Sequence, residues 1–334
     1  MNKIFFVSTE NTCNNNCIGC ADKSRIKIKK TKNGRPTIEI FQDLKKGAKK
    51  GFKNIHFTGG EITIQDNFFE IISKAVQLYE KVYITSNGRM FSNKEFAKKT
   101  IKQGVTDINI TLAGQNSEIH EKWTQVPKSF MQTIKGIQNL RKYTKNITLN
   151  ILIWKENYQK LSNILKIAKK LKIKKIDLFN LVPLGNAKKI YKKIKVDVSN
   201  LIKIENQIIP FQKYFNSIEI EDFPKCIFSK KFEAMENIHI FDTSGKIFLN
   251  KKNEIINYSV FAAREMNIPI LNNFSVQDNI KELQEKIQNY RIKINACLTC
   301  PRKDNCEGIF SYYIKLKGKN KVEKELENLK KINN

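Results

Sequence analysis

Arginine is scarce in this chain. Only seven of the 61 basic residues are arginine, so the net charge of +29 is carried almost wholly by lysine. Proteins that read base edges and phosphates favour the planar arginine fork, whereas lysine is a strongly hydrated point charge. A lysine-heavy chain that is also rich in Ile and Asn is what an AT-rich genome produces, and it reads as a solvated basic surface. Nucleic acid is therefore set aside as a partner, while an acidic peptide stays compatible with the charge. Long apolar runs are missing too. The best candidate for a secretion-signal core, "IFFV", is cut short by Glu10, and nothing approaches the roughly 18 to 20 residues needed to cross a bilayer. The expectation is a cytoplasmic protein with no membrane partner. Its 334 residues, 40% hydrophobic and 28% charged, suit one large domain or a large and a small one.

A reducing compartment argues against structural disulfides, so the seven cysteines need another use. Three sit in "CNNNCIGC" (Cys13, Cys17, Cys20), three in "CLTCPRKDNC" (Cys297, Cys300, Cys306), and Cys226 stands alone. Three thiolates on one loop are too few for a closed zinc site, which wants four ligands. Iron-sulfur clusters also use cysteine thiolates, and a four-iron cluster held by three of them keeps one iron open for a substrate or cofactor.

Strand-like and helical stretches alternate along the first half. "KIFFVS", "NIHFTGG", "KVYITSNG", "DINITLAG", "NITLNILI" and "KKIDLFNLVPLG" are separated by helical patterns near 40–51, 66–80, 93–103, 128–144 and 158–171. Six such units predict an α/β fold, a parallel sheet in an open six-unit β/α barrel, with the functional loops after the strands. The three chemistry-bearing motifs fall there: the cysteine loop after the first run, "TGGE" (Thr58–Glu61) after the second and "TSNG" (Thr85–Gly88) after the third.

With C-x3-C-x2-C after the first strand and Gly-Gly-Glu after the second, residues 1–190 resemble the radical S-adenosylmethionine (SAM) enzymes. That resemblance implies a catalytic 4Fe-4S cluster on Cys13, Cys17 and Cys20, whose open iron binds the amino and carboxylate groups of SAM. One electron then cleaves the sulfonium bond, giving methionine and a 5′-deoxyadenosyl radical that abstracts hydrogen from substrate. Gly59, Gly60 and Glu61 are implied near the methionine amino group, and Ser86 and Asn87 close to the cofactor. A flavodoxin or ferredoxin is the implied electron donor. The chain departs from the family at Gly19, where an aromatic residue commonly packs near the adenine, so another apolar residue, Ile18 or one on strand five or six, has to do so here. His120 and Trp123, in a stretch that resembles the fourth and fifth barrel units of the subgroup with auxiliary clusters, are read as packing residues.

After a helical linker over 191–225, residues 226–316 resemble the small auxiliary-cluster domains called SPASM, or the shorter "twitch" form. Cys226, Cys297, Cys300 and Cys306 would hold a second 4Fe-4S cluster. The double-cluster pattern has a further cysteine separated by four residues from the hairpin glycine, Gly245, and this chain has Asn250 there. Zinc on the same four thiolates is the alternative. "IHIFDTSGKIFLN" reads as a hairpin turning at Asp242–Gly245, and the tail over 317–334, with charges alternating at helical spacing, as a solvated helix.

Enzymes with such a domain often modify peptides, so the expected substrate is a peptide or protein. A chain that opens on the first strand has no room for a peptide-binding module before it, which counts against that reading. The alternative is a small-molecule enzyme such as the nucleotide cyclase of molybdenum-cofactor synthesis, whose glycine- and arginine-rich end this chain lacks. A cysteine-metal nucleic-acid-binding protein is the remote third. No general base or radical relay is singled out among Glu221, Asp222, Tyr312 and Tyr313.

Overall fold

The computed structural model describes residues 4–9, 12–21, 35–241, 247–249, 255–258 and 290–333. Eight strands run parallel in sequence order: β1 (Ile4–Ser8), β2 (Asn54–Thr58), β3 (Lys81–Ser86), β4 (Asp107–Leu112), β5 (Ile147–Ile153), β6 (Lys175–Asn180), β7 (Ser217–Glu221) and β8 (Ile238–Phe241). β1 and β8 are the edges, so the barrel is open. Helices α1 (Thr37–Lys49), α2 (Phe68–Leu78), α3 (Lys94–Lys102), α4 (Ser117–Thr124), α5 (Ser129–Leu140), α6 (Leu161–Lys170) and α7 (Gly185–Ile194) make the crossovers as far as β6 and beyond.

Alternation decides which face meets the helices. In β4, Ile108, Ile110 and Leu112 are fully buried, while Asp107, Asn109 and Thr111 between them face the other way. Ile55 and Phe57 of β2, Val82 and Ile84 of β3, and Ile218 and Ile220 of β7 continue the buried layer. Each contributes about 1.5–3 kcal/mol on burial, an upper estimate because the unfolded chain already hides part of that surface. The opposite face is unusually polar for a strand surface. It carries His56, Thr85, Asn109, Asn150 and Asp177, and His56 Nε2 lies 2.8 Å from Thr85 Oγ1.

The sheet exceeds the six strands expected. β7 and β8 extend it past residue 190, the boundary drawn from the sequence, because Ile218 and Ile220 pair in register with Ile176 and Leu178 on one side and with Ile238 and Ile240 on the other. The expected hairpin is corrected as well. Among the described residues β8 pairs with β7 alone, and Ile247–Leu249 pairs antiparallel with Ile255–Tyr258. The turn residues Asp242–Gly245 lie outside the described residues, as does Asn250.

Helices Val198–Leu201 and Lys203–Ile208 occupy the stretch expected to be helical before β7. The terminal helix, Lys319–Asn333, is not solvated all round. Val322, Leu326 and Leu329 form a stripe at i, i+4 and i+7 and are 0%, 3% and 2% exposed. Beside them the buried Glu325 accepts from Ser199 N (2.8 Å), Tyr313 Oη (2.9 Å) and Lys317 Nζ (2.9 Å), bracing the helix against Val198–Leu201 and Ser311–Lys317. The charged face hid an apolar stripe, so the tail is a structural strut. Among the described residues, no helix is long and apolar enough to cross a membrane.

Candidate functional site

The cysteine loop leaves β1 and is tied down by four other loops at the same end of the sheet. From the β2 loop, Glu61 N donates to Thr12 O (2.8 Å). From α4, the carbonyls of Thr124 and Trp123 accept from Asn16 N (2.8 Å) and Ile18 N (2.9 Å). After β6, Asn186 N donates to Cys20 O (3.1 Å). From the β3 loop, Asn87 Nδ2 donates to Asn14 Oδ1 (2.6 Å) and reaches Cys13 Sγ at 3.8 Å. Arg89 donates to Asn15 Oδ1 (2.9 Å) and to the Asn14 carbonyl, and is itself oriented by Gln132 Oε1 (2.6 Å). Charge-assisted donors of this kind are about twice as strong as neutral ones, so Arg89 is a principal clamp on the loop.

Glu61 is the hub beneath it, only 1% exposed. Its Oε1 accepts from Thr63 N (3.2 Å), Thr63 Oγ1 (2.5 Å) and Ser86 Oγ (2.8 Å), and its Oε2 from Asn87 N (2.6 Å). Burial pushes this carboxyl above the ordinary carboxylate range, against the donors from Asn87, Thr63 and Ser86 that hold it down. The tight approach depends on Gly59, whose φ of +76° suits glycine and whose missing Cβ would overlap Ser8 Oγ. Gly60 also has positive φ, +49°. The structure thus brings Gly59, Gly60, Glu61, Ser86 and Asn87 to the cysteine loop.

Gly19 has a definite neighbour. A Cβ there would overlap Trp123 Cη2 and come within 3.1 Å of Cζ2 and 3.2 Å of Ile194 Cδ1. The Trp123 ring, 4% exposed, packs at 5.1 Å on Trp154, whose Nε1 donates to Ala113 O (2.7 Å). The indole occupies the space that a side chain at position 19 would take. His120, one turn away, is 2% exposed, and its Nδ1 accepts from Ala113 N (3.3 Å). Burial first, then the Arg89 charge, lower its pKa to about 4, so it is a neutral packing residue. Arg89, Gln132 and the volume of Trp123 were missed from sequence. The "NGR" that begins at Asn87 is the one local signal.

The other four cysteines also converge. Burial raises the Cys226 thiol pKa, and the charges of Cys306, Cys300 and Cys297 raise it further, which places all three near it. Arg302 ties the two segments together, donating from Nη2 to Phe228 O (2.8 Å) and from Nε to Glu233 (2.9 Å). Of the four acid–base candidates, Tyr313 is engaged with Glu325 (2.9 Å) and Tyr312 donates to Lys188 O (3.2 Å). Asp222, at φ +65°, is buried 3.9 Å from Arg291. Only Glu221 stands on the polar sheet face.

Comparison with known proteins follows this geometry. A family model described as Radical SAM superfamily matches residues 7–168, from β1 into α6. The GTP 3′,8-cyclase of Clostridium acetobutylicum is 27% identical over 216 residues, 63% of this chain and 66% of the relative. The AdoMet-dependent heme synthase of Methanosarcina barkeri is 27% identical over 178 residues, 52% and 49% of the two chains. The chain therefore spans less than two thirds of either relative's length. Among solved structures, SuiB of Streptococcus suis superposes with a TM-score of 0.63 at 17% identity, covering 94% of this chain and 74% of that one. anSMEcpe with bound AdoMet superposes at 0.63 and 13% identity, covering 98% and 96%. At those identities the likeness is one of fold. The matched stretch carries both the cysteine loop and Glu61, so residues 7–168 form a radical SAM superfamily domain.

Proposed function

We propose that Cys13, Cys17 and Cys20 hold a 4Fe-4S cluster and that the chain uses S-adenosylmethionine to abstract hydrogen from a peptide or protein. The observation that carries this reading is the tethering of the cysteine loop by the loops after β2, β3, β4 and β6, centred on Glu61 and Arg89. The bound cluster supplies the electron that breaks the sulfonium bond. The chain's own residues do the rest. Glu61 fixes the Ser86–Asn87 backbone beside the loop, Asn87 and Arg89 hold Asn14 and Asn15, and Trp123 packs under Gly19. Burial, then the Glu61 carboxylate, push the Cys13 thiol up to about 12 although its surface is open, so a thiolate there wants a cation beside it.

The same reading gives Cys226, Cys297, Cys300 and Cys306 to a second 4Fe-4S cluster, with an electron donor such as flavodoxin or ferredoxin. Four thiolates around one zinc lie about 3.8 Å apart, from a Zn–S length of about 2.3 Å. Zinc held at that spacing by the same four thiolates is the alternative. The peptide substrate is supported by the fold shared with SuiB and anSMEcpe, solved with precursor peptide SuiA and with a Cp18Cys peptide. The small-molecule reading has its own support in the identity to a GTP 3′,8-cyclase.

The test is iron, sulfide and 5′-deoxyadenosine formation on protein purified without oxygen, with SAM and dithionite. About eight irons per chain are expected, falling to about four in the Cys13→Ala/Cys17→Ala/Cys20→Ala variant with loss of SAM cleavage. Cleavage that survives the triple change overturns the assignment. Consumption of added GTP moves the substrate to the small-molecule class.

A further inference from the structure

The two segments that carry Cys226 and Cys297 share one neighbour. The terminal helix, Lys319–Asn333, packs against the turn Lys225–Ile227, which holds Cys226, and against the short helix Asn295–Leu298, which holds Cys297. Two polar side chains anchor it to the second of these. Glu323 accepts from the first two backbone N–H groups of the short helix, Asn295 N at Oε1 (2.9 Å) and Ala296 N at Oε2 (2.7 Å). Such donors have no partner inside their own helix, and Ile294 before them supplies no side-chain cap. Lys330, at i+7 and so on the same face as Glu323, donates from Nζ to Thr299 Oγ1 (2.8 Å), between Cys297 and Cys300. Among the described residues no carboxylate pairs with that ammonium. Its charge reaches the thiols: burial, then the charges of Cys306 and Cys300, raise the Cys297 pKa, while the Ile294 backbone and the Lys330 ammonium act the other way.

We propose that the terminal helix is the clasp of the second cysteine site: Glu323 is a positioning residue for the turn that presents Cys297, and the Lys330 ammonium raises the reduction potential of the 4Fe-4S cluster held by Cys226, Cys297, Cys300 and Cys306. The inference rests on the second-cluster reading given above and adds what this chain's own residues do there. The two anchors act differently. Glu323 works through geometry, because the turn it caps also sets Cys300, whose N–H donates to Cys297 O (3.1 Å). A ligand set drawn from two distant segments stays assembled only while one element holds both, and the terminal helix touches both. Lys330 works through charge. Taking up one electron makes a cluster more negative by one charge, so a cation fixed beside its ligands stabilises the reduced form and lifts the potential. Net charge and outer hydrogen bonds are among the levers by which a protein sets such potentials.

The test uses the full chain in the Cys13→Ala/Cys17→Ala/Cys20→Ala background, where iron binds at the second site alone, loaded without oxygen. The potential is read from the electron paramagnetic resonance signal during titration with dithionite and mediators, and iron loss is followed with an excess of a ferrous-iron chelator. Lys330→Met should move the potential to a more negative value with iron and sulfide unchanged, and Lys330→Arg, which keeps the charge, should leave it close to the unaltered value. Glu323→Gln, which sets an NH₂ against one of the two backbone donors, should release iron at least tenfold faster and alter the g values of the reduced signal. No shift in Lys330→Met, or an equal shift in Lys330→Arg, refutes the electrostatic role. Unchanged release in Glu323→Gln, or faster release with unaltered g values, refutes the positioning role and leaves Glu323 a stabiliser of the helix only. Those results with about four irons bound overturn this inference alone. Zinc, or no iron, in the triple-cysteine background overturns the second-cluster reading and this inference with it.

Discussion

Replacing Gly19 by Ala tests whether the Trp123 indole fills the space against Gly19 of the cysteine loop. Gly19 is not among the positive-φ residues, so an alanine there meets no backbone strain and the effect is steric. The new methyl overlaps Trp123 Cη2 and crowds Cζ2 at 3.1 Å and Ile194 Cδ1 at 3.2 Å. Forcing one extra carbon into such packing costs about 1–3 kcal/mol. Trp123→Leu removes the obstructing ring and by itself costs about 2–4 kcal/mol, through the cavity it leaves against Trp154. If the indole is the obstacle, the penalty of Gly19→Ala nearly vanishes in the Trp123→Leu background. The double mutant then shows a favourable coupling of about 1–3 kcal/mol. The assay is the urea midpoint by far-ultraviolet circular dichroism at constant m, which avoids the altered tryptophan fluorescence. Iron retained per chain on the same samples should follow the same order. An equal penalty in both backgrounds, or none in the unaltered chain, refutes the packing argument.

Glu61→Gln puts an amide NH₂ where one carboxylate oxygen accepts, against the donors of Thr63 and Ser86 or of Asn87. A loss of about 2–4 kcal/mol in stability and a fall in iron bound by the front cysteines are expected, and unchanged iron with unchanged stability would count against Glu61 as the hub. His120 has its folded pKa lowered to about 4 by burial and Arg89, so the unfolded chain takes up the proton first as pH falls. Its contribution is present above about pH 6.5 and is lost between there and about pH 4, at most about 3 kcal/mol. His120→Gln should flatten that acid limb relative to the unaltered chain, and parallel pH profiles of the two would contradict it.

The sequence by itself determined the parallel α/β architecture and where the motif-bearing loops fall, because both are written in local patterns. Buried apolar residues alternate along β3, β4 and β5, and the cysteine loop, "TGGE" and "TSNG" each follow a strand within a few residues. Where a segment's role depended on its neighbours, the local pattern misled. Nothing in "SIEIE" and "IHIF" says which sheet they join, and only the free edge of β6, then of β7, recruited them. The stripe of Val322, Leu326 and Leu329 was present in the tail, yet its burial followed only from the helices that dock against it. Tertiary structure alone put Trp123 against Gly19, Arg89 on the cysteine loop and Asn150 beside Asp177. Those partners lie between 27 and 104 residues apart in the chain, where no helical or strand period reaches and only sheet register and loop convergence bring side chains together.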